Sequence, residues 1–232
     1  MARPSDATKQ STASEDDDTL ALPDNIKNQI TQLDNAPDEK ARLALEASLV
    51  QIDVKKPVDP SQELSLAELE AVKMPKSTEQ PASGMSASTK IIRAAKEELG
   101  YREQGGNCTK YGSWYGIHCA EWCDMFVSWV FHHVGLLSSI GGKFAYVPSH
   151  LDWFRKHKLF HKRGAKGGGP HLGGAIFFDW DGNGVPNHIG IVVSYTDTHV
   201  YTVEGNRSDK VSALTYLRSN HLILGYGYPN WK

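Results

Sequence analysis

The chain has 232 residues, 40% hydrophobic and 22% charged, with a net charge of −2; that is long enough for one well-cored domain and a substantial appendage. No run of about 18 apolar residues occurs, which excludes a helix spanning a bilayer, and Met1-Ala-Arg-Pro-Ser-Asp leads into Glu15-Asp-Asp-Asp18 rather than an apolar segment, so no secretory signal peptide is expected. The averages hide a split: no Phe, Trp or Tyr precedes Tyr101, and all ten histidines and all three cysteines follow it. Residues 1–89 carry nine basic and sixteen acidic groups, a net of −7, and the remainder carries +5. A segment without aromatics buries little apolar surface per residue, so the core and the chemistry are assigned to the second part.

Residues 1–20 are Ser-, Thr-, Asp- and Glu-rich and read as disordered. Ile26, Ile30 and Leu33 recur at helical spacing after Pro23-Asp24; Leu45, Leu49 and Ile52 do so after Asp38-Glu39; and Leu66–Val72 follows Ser65 as a cap. These three short pieces fit either an interaction arm or a mobile, partly helical leader, the reading preferred for residues 1–73. Residues 74–88 have the Pro, Ser and Gly of a linker.

Residues 89–232 read as the globular domain. Ser88 is placed as the cap of a helix whose face is Ile91, Ile92, Ala95 and Leu99, with Gly100 as its stop. A polar loop is expected over 101–120, a helix over 121–133 with Phe126, Val127 and Val130 inward, another over 148–158, and a Gly-rich loop over 164–174. The period then changes: 175–178 reads as a strand, 188–195 and 200–204 as a hairpin, and 222–228 as a last strand. Helices followed by antiparallel strands make the class α+β.

Cys123 begins a helix in Glu121-Trp-Cys-Asp-Met-Phe-Val-Ser-Trp129. Backbone N–H groups and the positive end of the helix dipole stabilise a thiolate there and can hold an oxyanion. The alternative is an inert structural thiol. Cys108 and Cys119 are close enough to bridge, although three reduced thiols fit the sequence equally. His188 starts a strand expected to be buried, where a histidine must be hydrogen-bonded or functional. Glu204 and Asn206, at the end of the partner strand, are placed to reach its distal nitrogen, the base–orienter arrangement a nucleophile needs.

Taken together, Gly100-Tyr-Arg-Glu, Thr109-Lys-Tyr-Gly-Ser-Trp-Tyr-Gly116, Trp122-Cys-Asp-Met-Phe-Val-Ser-Trp129, Gly174-Ala-Ile-Phe-Phe-Asp-Trp180, Asn187-His-Ile-Gly-Ile-Val192 and Val203-Glu-Gly-Asn206 resemble, in order and over most of residues 88–232, the CHAP family of cysteine- and histidine-dependent amidohydrolases and peptidases. The resemblance implies a papain-like fold, Cys123 as nucleophile, His188 as general base and Glu204 and Asn206 as orienting groups. It further implies peptidoglycan as the partner and substrate, and a phage lysin or bacterial cell-wall hydrolase as the type. The chain departs from the family at Gly173-Gly174, where members often have Gly-Asp, and in its loop 104–120, which has none of the acidic residues through which some members bind calcium.

No cofactor is required by this reading. A weak calcium motif remains in Asp179, Asp181 and Asn183, which copy the opening of an EF-hand loop, but Gly190 stands where that loop needs a bidentate Glu; the same residues also make tight turns. The His and Cys spacings do not fit zinc. Arg155, Lys156, Lys158, Lys162, Arg163 and Lys166 form a basic cluster that reads either as attraction to an anionic wall or as a solvated face, and no nucleic-acid recognition motif accompanies it. The rival classes are a non-catalytic wall-binding or virion structural protein and a papain-like acyltransferase.

Overall fold

The computed structural model describes residues 22–50, 62–72 and 85–231. Residues 1–21, with the expected disorder of 1–20, residues 51–61 and most of the expected linker lie outside the described residues. The expected α+β class holds: among the described residues seven α-helices accompany one seven-stranded antiparallel sheet. In chain order these are α1 (Asp24–Asp34), α2 (Glu39–Leu49), β1 (Gln62–Leu64), α3 (Leu66–Ala71), α4 (Ala87–Glu97), α5 (Lys110–Tyr115), α6 (Cys123–His133), α7 (Val147–Lys156), β2 (Phe160–Lys162), β3 (Ala175–Phe178), β4 (His188–Tyr195), β5 (His199–Glu204), β6 (Ser212–Leu217) and β7 (Ile223–Gly227). A 3₁₀ turn, Leu137–Ile140, precedes α7. No helix among the described residues is long and apolar enough to cross a membrane.

The strands lie in the order β1-β6-β5-β4-β3-β7-β2, so β4 is central and buried over all but its last residue. Its near-continuous apolar run is what covering on both faces demands. Side chains alternate across a strand: Ile189, Ile191 and Val193 join the core beneath the helices, while Val192 joins a second cluster with Ile176, Phe178, Leu214 and Tyr216. Helix α6 packs on β4 and β5 and is buried around most of its circumference, so the segment that starts with Cys123 is anchored at the centre of the fold.

Four features differ from the sequence reading. Helix α4 starts at Ala87, and Ser86, not Ser88, caps it by accepting from the Thr89 amide; a serine two residues earlier in a serine-rich stretch gives no distinguishing pattern. The loop expected over 101–120 contains α5, capped by Thr109. Strands β1, β2 and β6 were not expected. The three short helices expected within residues 1–73 are present as α1, α2 and α3, and beyond that expectation α1 buries Ile26, Ile30 and Leu33 against the domain while β1 adds an edge strand beside β6.

The docking of the α1–α2 hairpin turns on a charged residue. Glu46 is 1% exposed and is the only fully buried residue of α2. Its carboxylate accepts from the amides of Ala145 (3.0 Å) and Tyr146 (3.3 Å), from the Tyr115 hydroxyl (2.7 Å) and from Arg42 (2.8 Å). Burial pushes the Glu46 carboxyl above its ordinary value, and the Arg42 charge pulls it back. Charge-assisted bonds of this kind are strong, and removing one partner strands the others. Glu46→Ala should therefore lower unfolding stability by about 2–4 kcal/mol in urea titration; an unchanged midpoint would show that the hairpin rests on its apolar contacts alone.

Candidate active site

Cys108 and Cys119 form a disulfide, and Cys123 is the one cysteine outside it. Cys123 is 5% exposed and is the first residue of α6. Trp122 is the N-cap residue, and its side chain makes no capping hydrogen bond. It is held from the other side: its indole N–H donates to Glu103 Oε2 (3.2 Å) and its ring stacks on Tyr111 at 5.3 Å. The first turn is pinned further by Asp124, whose Oδ1 meets His150 Nδ1 of α7 at 2.7 Å, with both residues fully buried. The start of α6 is thus fixed by aromatic packing and a buried hydrogen bond between Asp124 and His150 rather than by a Ser or Asp cap.

His188 opens β4 and is 2% exposed. Its Nε2 lies 2.8 Å from Glu204 Oε2 at the end of β5. A carboxylate only accepts, so Nε2 carries the proton that makes this bond. Glu204 is 0% exposed and saturated: Oε2 also accepts from the Tyr216 hydroxyl (3.1 Å), and Oε1 accepts from the Thr202 hydroxyl (2.5 Å). A buried carboxylate needs this degree of pairing. The indole of Trp180 stacks on His188 with ring centroids 4.0 Å apart, leaving the ring little freedom to rotate.

Two glycines make this arrangement possible. A Cβ at Gly190 would lie 2.5 Å from Glu204 Cγ, so the carboxylate arm passes over a strand position that must lack a side chain. A Cβ at Gly205 would lie 2.5 Å from the Cβ of Phe126 and 2.9 Å from Trp122, so the chain leaving β5 runs flush against the start of α6. Asn206 completes the junction: it adopts a left-handed φ of 57°, and its Nδ2 donates to Glu121, two residues before Cys123. Of the two orienting candidates, Glu204 holds the His188 Nε2, whereas Asn206 ties the hairpin to the cysteine helix.

Cys123 and His188 line one cleft of about 200 Å³, bordered by Glu121, Tyr146, Trp180 and Asn187 among others. The calcium motif sits on its rim. Asp179 accepts from the amides of Asn183 (3.2 Å) and Gly184 (2.7 Å), Asp181 accepts from Asn183 Nδ2 (3.2 Å), and Asn183 accepts from the Val185 amide (2.8 Å). This is the bonding of a self-capped turn. Burial, with the Asp179 charge adding to it, raises the Asp181 carboxyl above its ordinary value. In the basic cluster, Lys156 pairs with Asp152 and Asp34, and Arg163 donates to the Ile223 carbonyl.

Sequence reasoning missed Thr202, Tyr216 and Trp180 as partners of the histidine–carboxylate pair. Thr202 had a readable signal, since it stands two positions before Glu204 and so on the same face of β5. Tyr216 had none without the pairing of β5 with β6. No protein-family model matches the chain, and no curated protein matches it.

The crowding at Gly190 yields a direct test. Gly190→Ala should cost about 1–3 kcal/mol in urea unfolding, the usual penalty for overpacking a filled site. Stability equal to wild type would mean that Glu204 is not held where the bonds to Thr202, Tyr216 and His188 require.

Proposed function

We propose that this protein is a cysteine-dependent amidohydrolase or peptidase that cleaves an amide bond of bacterial peptidoglycan, in the manner of the CHAP family and on a papain-like fold. The observation that carries the reading is the shared cleft of Cys123 and His188, with the histidine's far nitrogen bonded to a buried, fully paired Glu204. A thiol at a helix start, a histidine and an orienting acceptor are the parts that nucleophilic acyl transfer needs.

The chemistry then follows from the parts. With Nε2 engaged by Glu204, Nδ1 of His188 is the nitrogen that serves the thiol. The Cys123 thiolate, paired with the imidazolium, attacks the amide carbonyl carbon. Backbone N–H groups at the start of α6 stabilise the oxyanion. His188 gives its proton to the leaving amine as the C–N bond breaks, producing a Cys123 thioester. It then takes a proton from water, which attacks the thioester and releases the carboxylate and the thiol. Trp180 and Glu204 keep the ring in one orientation and one tautomer through both halves. Asn206, through its bond to Glu121, is a positioning residue between the end of β5 and the start of the cysteine helix.

The Cys108–Cys119 disulfide supports action outside a reducing cytoplasm. It fits a phage lysin or virion-associated hydrolase that acts on the wall. Neither calcium nor another cofactor enters the scheme.

Purified sacculi provide the test. Wild type should release free amino groups and give muropeptides whose masses identify the amide that was cut. Cys123→Ala and His188→Ala should each lose at least about 10³-fold in rate, as removal of a nucleophile or its base does elsewhere. A new isopeptide in place of free amine would reassign the protein to acyl transfer, and unchanged sacculi with wild type would overturn catalysis on this substrate.

A further inference from the structure

The α1–α2 hairpin does more than cover the domain. Ile26 of α1, with Leu49 and Val50 at the end of α2, lines the same cleft as Cys123 and His188. Beside them the cleft wall continues through Ala145, Val147 and Pro148. The segment 145–146 is the one whose amides Glu46 clamps, and Tyr146 also reaches α1 by donating its hydroxyl to Gln29 (2.7 Å). Two independent anchors, Glu46 on α2 and Gln29 on α1, thus hold the hairpin and the wall in fixed relation. The stretch from Trp180 to Asn187 contributes a mixed lining, with Asp181, Asn183 and Asn187 beside Trp180, Val185 and Pro186.

We propose that the α1–α2 hairpin builds an apolar specificity subsite, in which Ile26, Leu49 and Val50 receive an uncharged, apolar side chain of the substrate residue next to the bond that Cys123 attacks. This rests on the amide-cleaving reading and extends it to a substrate class: peptides with a short apolar side chain, rather than glycine or a cationic residue, at that position. The size of the space agrees. About 200 Å³ falls below the roughly 300–1,000 Å³ of pockets that engulf whole drug-sized ligands, and it suits one side chain with its adjoining backbone. Among the described residues that line the cleft, the acidic side chains Glu121 and Asp181 lie outside the hairpin, so a lysine side chain set against Ile26, Leu49 and Val50 would lose hydration without a partner there. The acidic N-terminal region, set apart from the aromatic-rich domain by composition, contributes to the site in this way.

Thiol alkylation tests the subsite separately from hydrolysis. The full-length protein is treated with acetyl-Gly-Xaa chloromethyl ketones in which Xaa is Gly, Ala, Leu or Lys, and modification of Cys123 is followed by mass spectrometry. Iodoacetamide reports the thiol's intrinsic reactivity. In wild type the Ala and Leu probes should react at least about tenfold faster than the Gly and Lys probes, the discrimination that an apolar pocket achieves for a methyl or larger group. In Leu49→Glu, a change at a half-buried position, that preference, with each rate divided by the iodoacetamide rate of the same variant, should fall to within about twofold and the Lys probe should gain. Leu49→Ser supplies an uncharged second variant and should weaken the Leu preference alone. Equal rates for all four probes in wild type, or a preference that survives in both variants, would overturn the subsite. Selective alkylation by a wild-type sample that leaves sacculi intact would keep the subsite and overturn the peptidoglycan reading, whereas failure of every probe to reach Cys123 would overturn both.

Discussion

The hydrogen bond between His188 Nε2 and Glu204 Oε2, 2.8 Å long and closed off from solvent, sets requirements that much of the surrounding structure meets. A carboxylate buried in this way is unfavourable unless its oxygens are paired. Thr202 and Tyr216 supply the remaining donors, which ties β5 to β6 in a fixed register. The arm of Glu204 needs the space over Gly190, which constrains β4. Trp180, just past the end of β3, covers the imidazole. One bond thus links the central strand to its neighbours and holds one histidine orientation.

The cysteine reaches the same cleft by a different route. It belongs to a helix on the other side of the β4 core layer, and the two halves meet at the end of β5. There Gly205 lets the chain lie against Trp122 and Phe126, and Asn206 reaches Glu121. An aromatic cluster of Tyr101, Tyr111, Trp122 and Phe126 backs the helix start. Preorganisation of this kind is what covalent catalysis needs, because a small misplacement of a nucleophile costs much of its rate. The disulfide between Cys108 and Cys119 closes the loop that carries α5 towards α6.

Much of this was legible in the sequence wherever periodicity was strong. Helices α1 to α4, α6 and α7 and strands β3, β4, β5 and β7 match expected segments to within a few residues at most of their ends, because helical spacing or a short apolar run marks most of them. The candidate nucleophile, base and orienting acid were legible because of their places at a helix start and at the facing ends of a hairpin. What escaped depends on tertiary pairing. Strand β1 has the sequence Gln62-Glu-Leu64, without an apolar rhythm, and exists because β6 offers it an edge. Helix α5 hides in a Gly-, Ser- and Tyr-rich loop and depends on the Thr109 cap. The hairpin was undervalued because its decisive buried group is Glu46, and a glutamate on a helix reads as exposed until its partners at Tyr115, Ala145 and Tyr146 are seen.

A double-mutant cycle on sacculus hydrolysis tests most directly whether Glu204 acts through His188. If Glu204 serves only to orient and polarise the imidazole, Glu204→Gln should slow wild type by about 10²–10⁴-fold yet add almost nothing once His188→Ala is in place, because effects within one catalytic unit are strongly non-additive. Independent, multiplying losses in the double variant would contradict the account and show that Glu204 supports the fold, or the cleft, without working through the histidine.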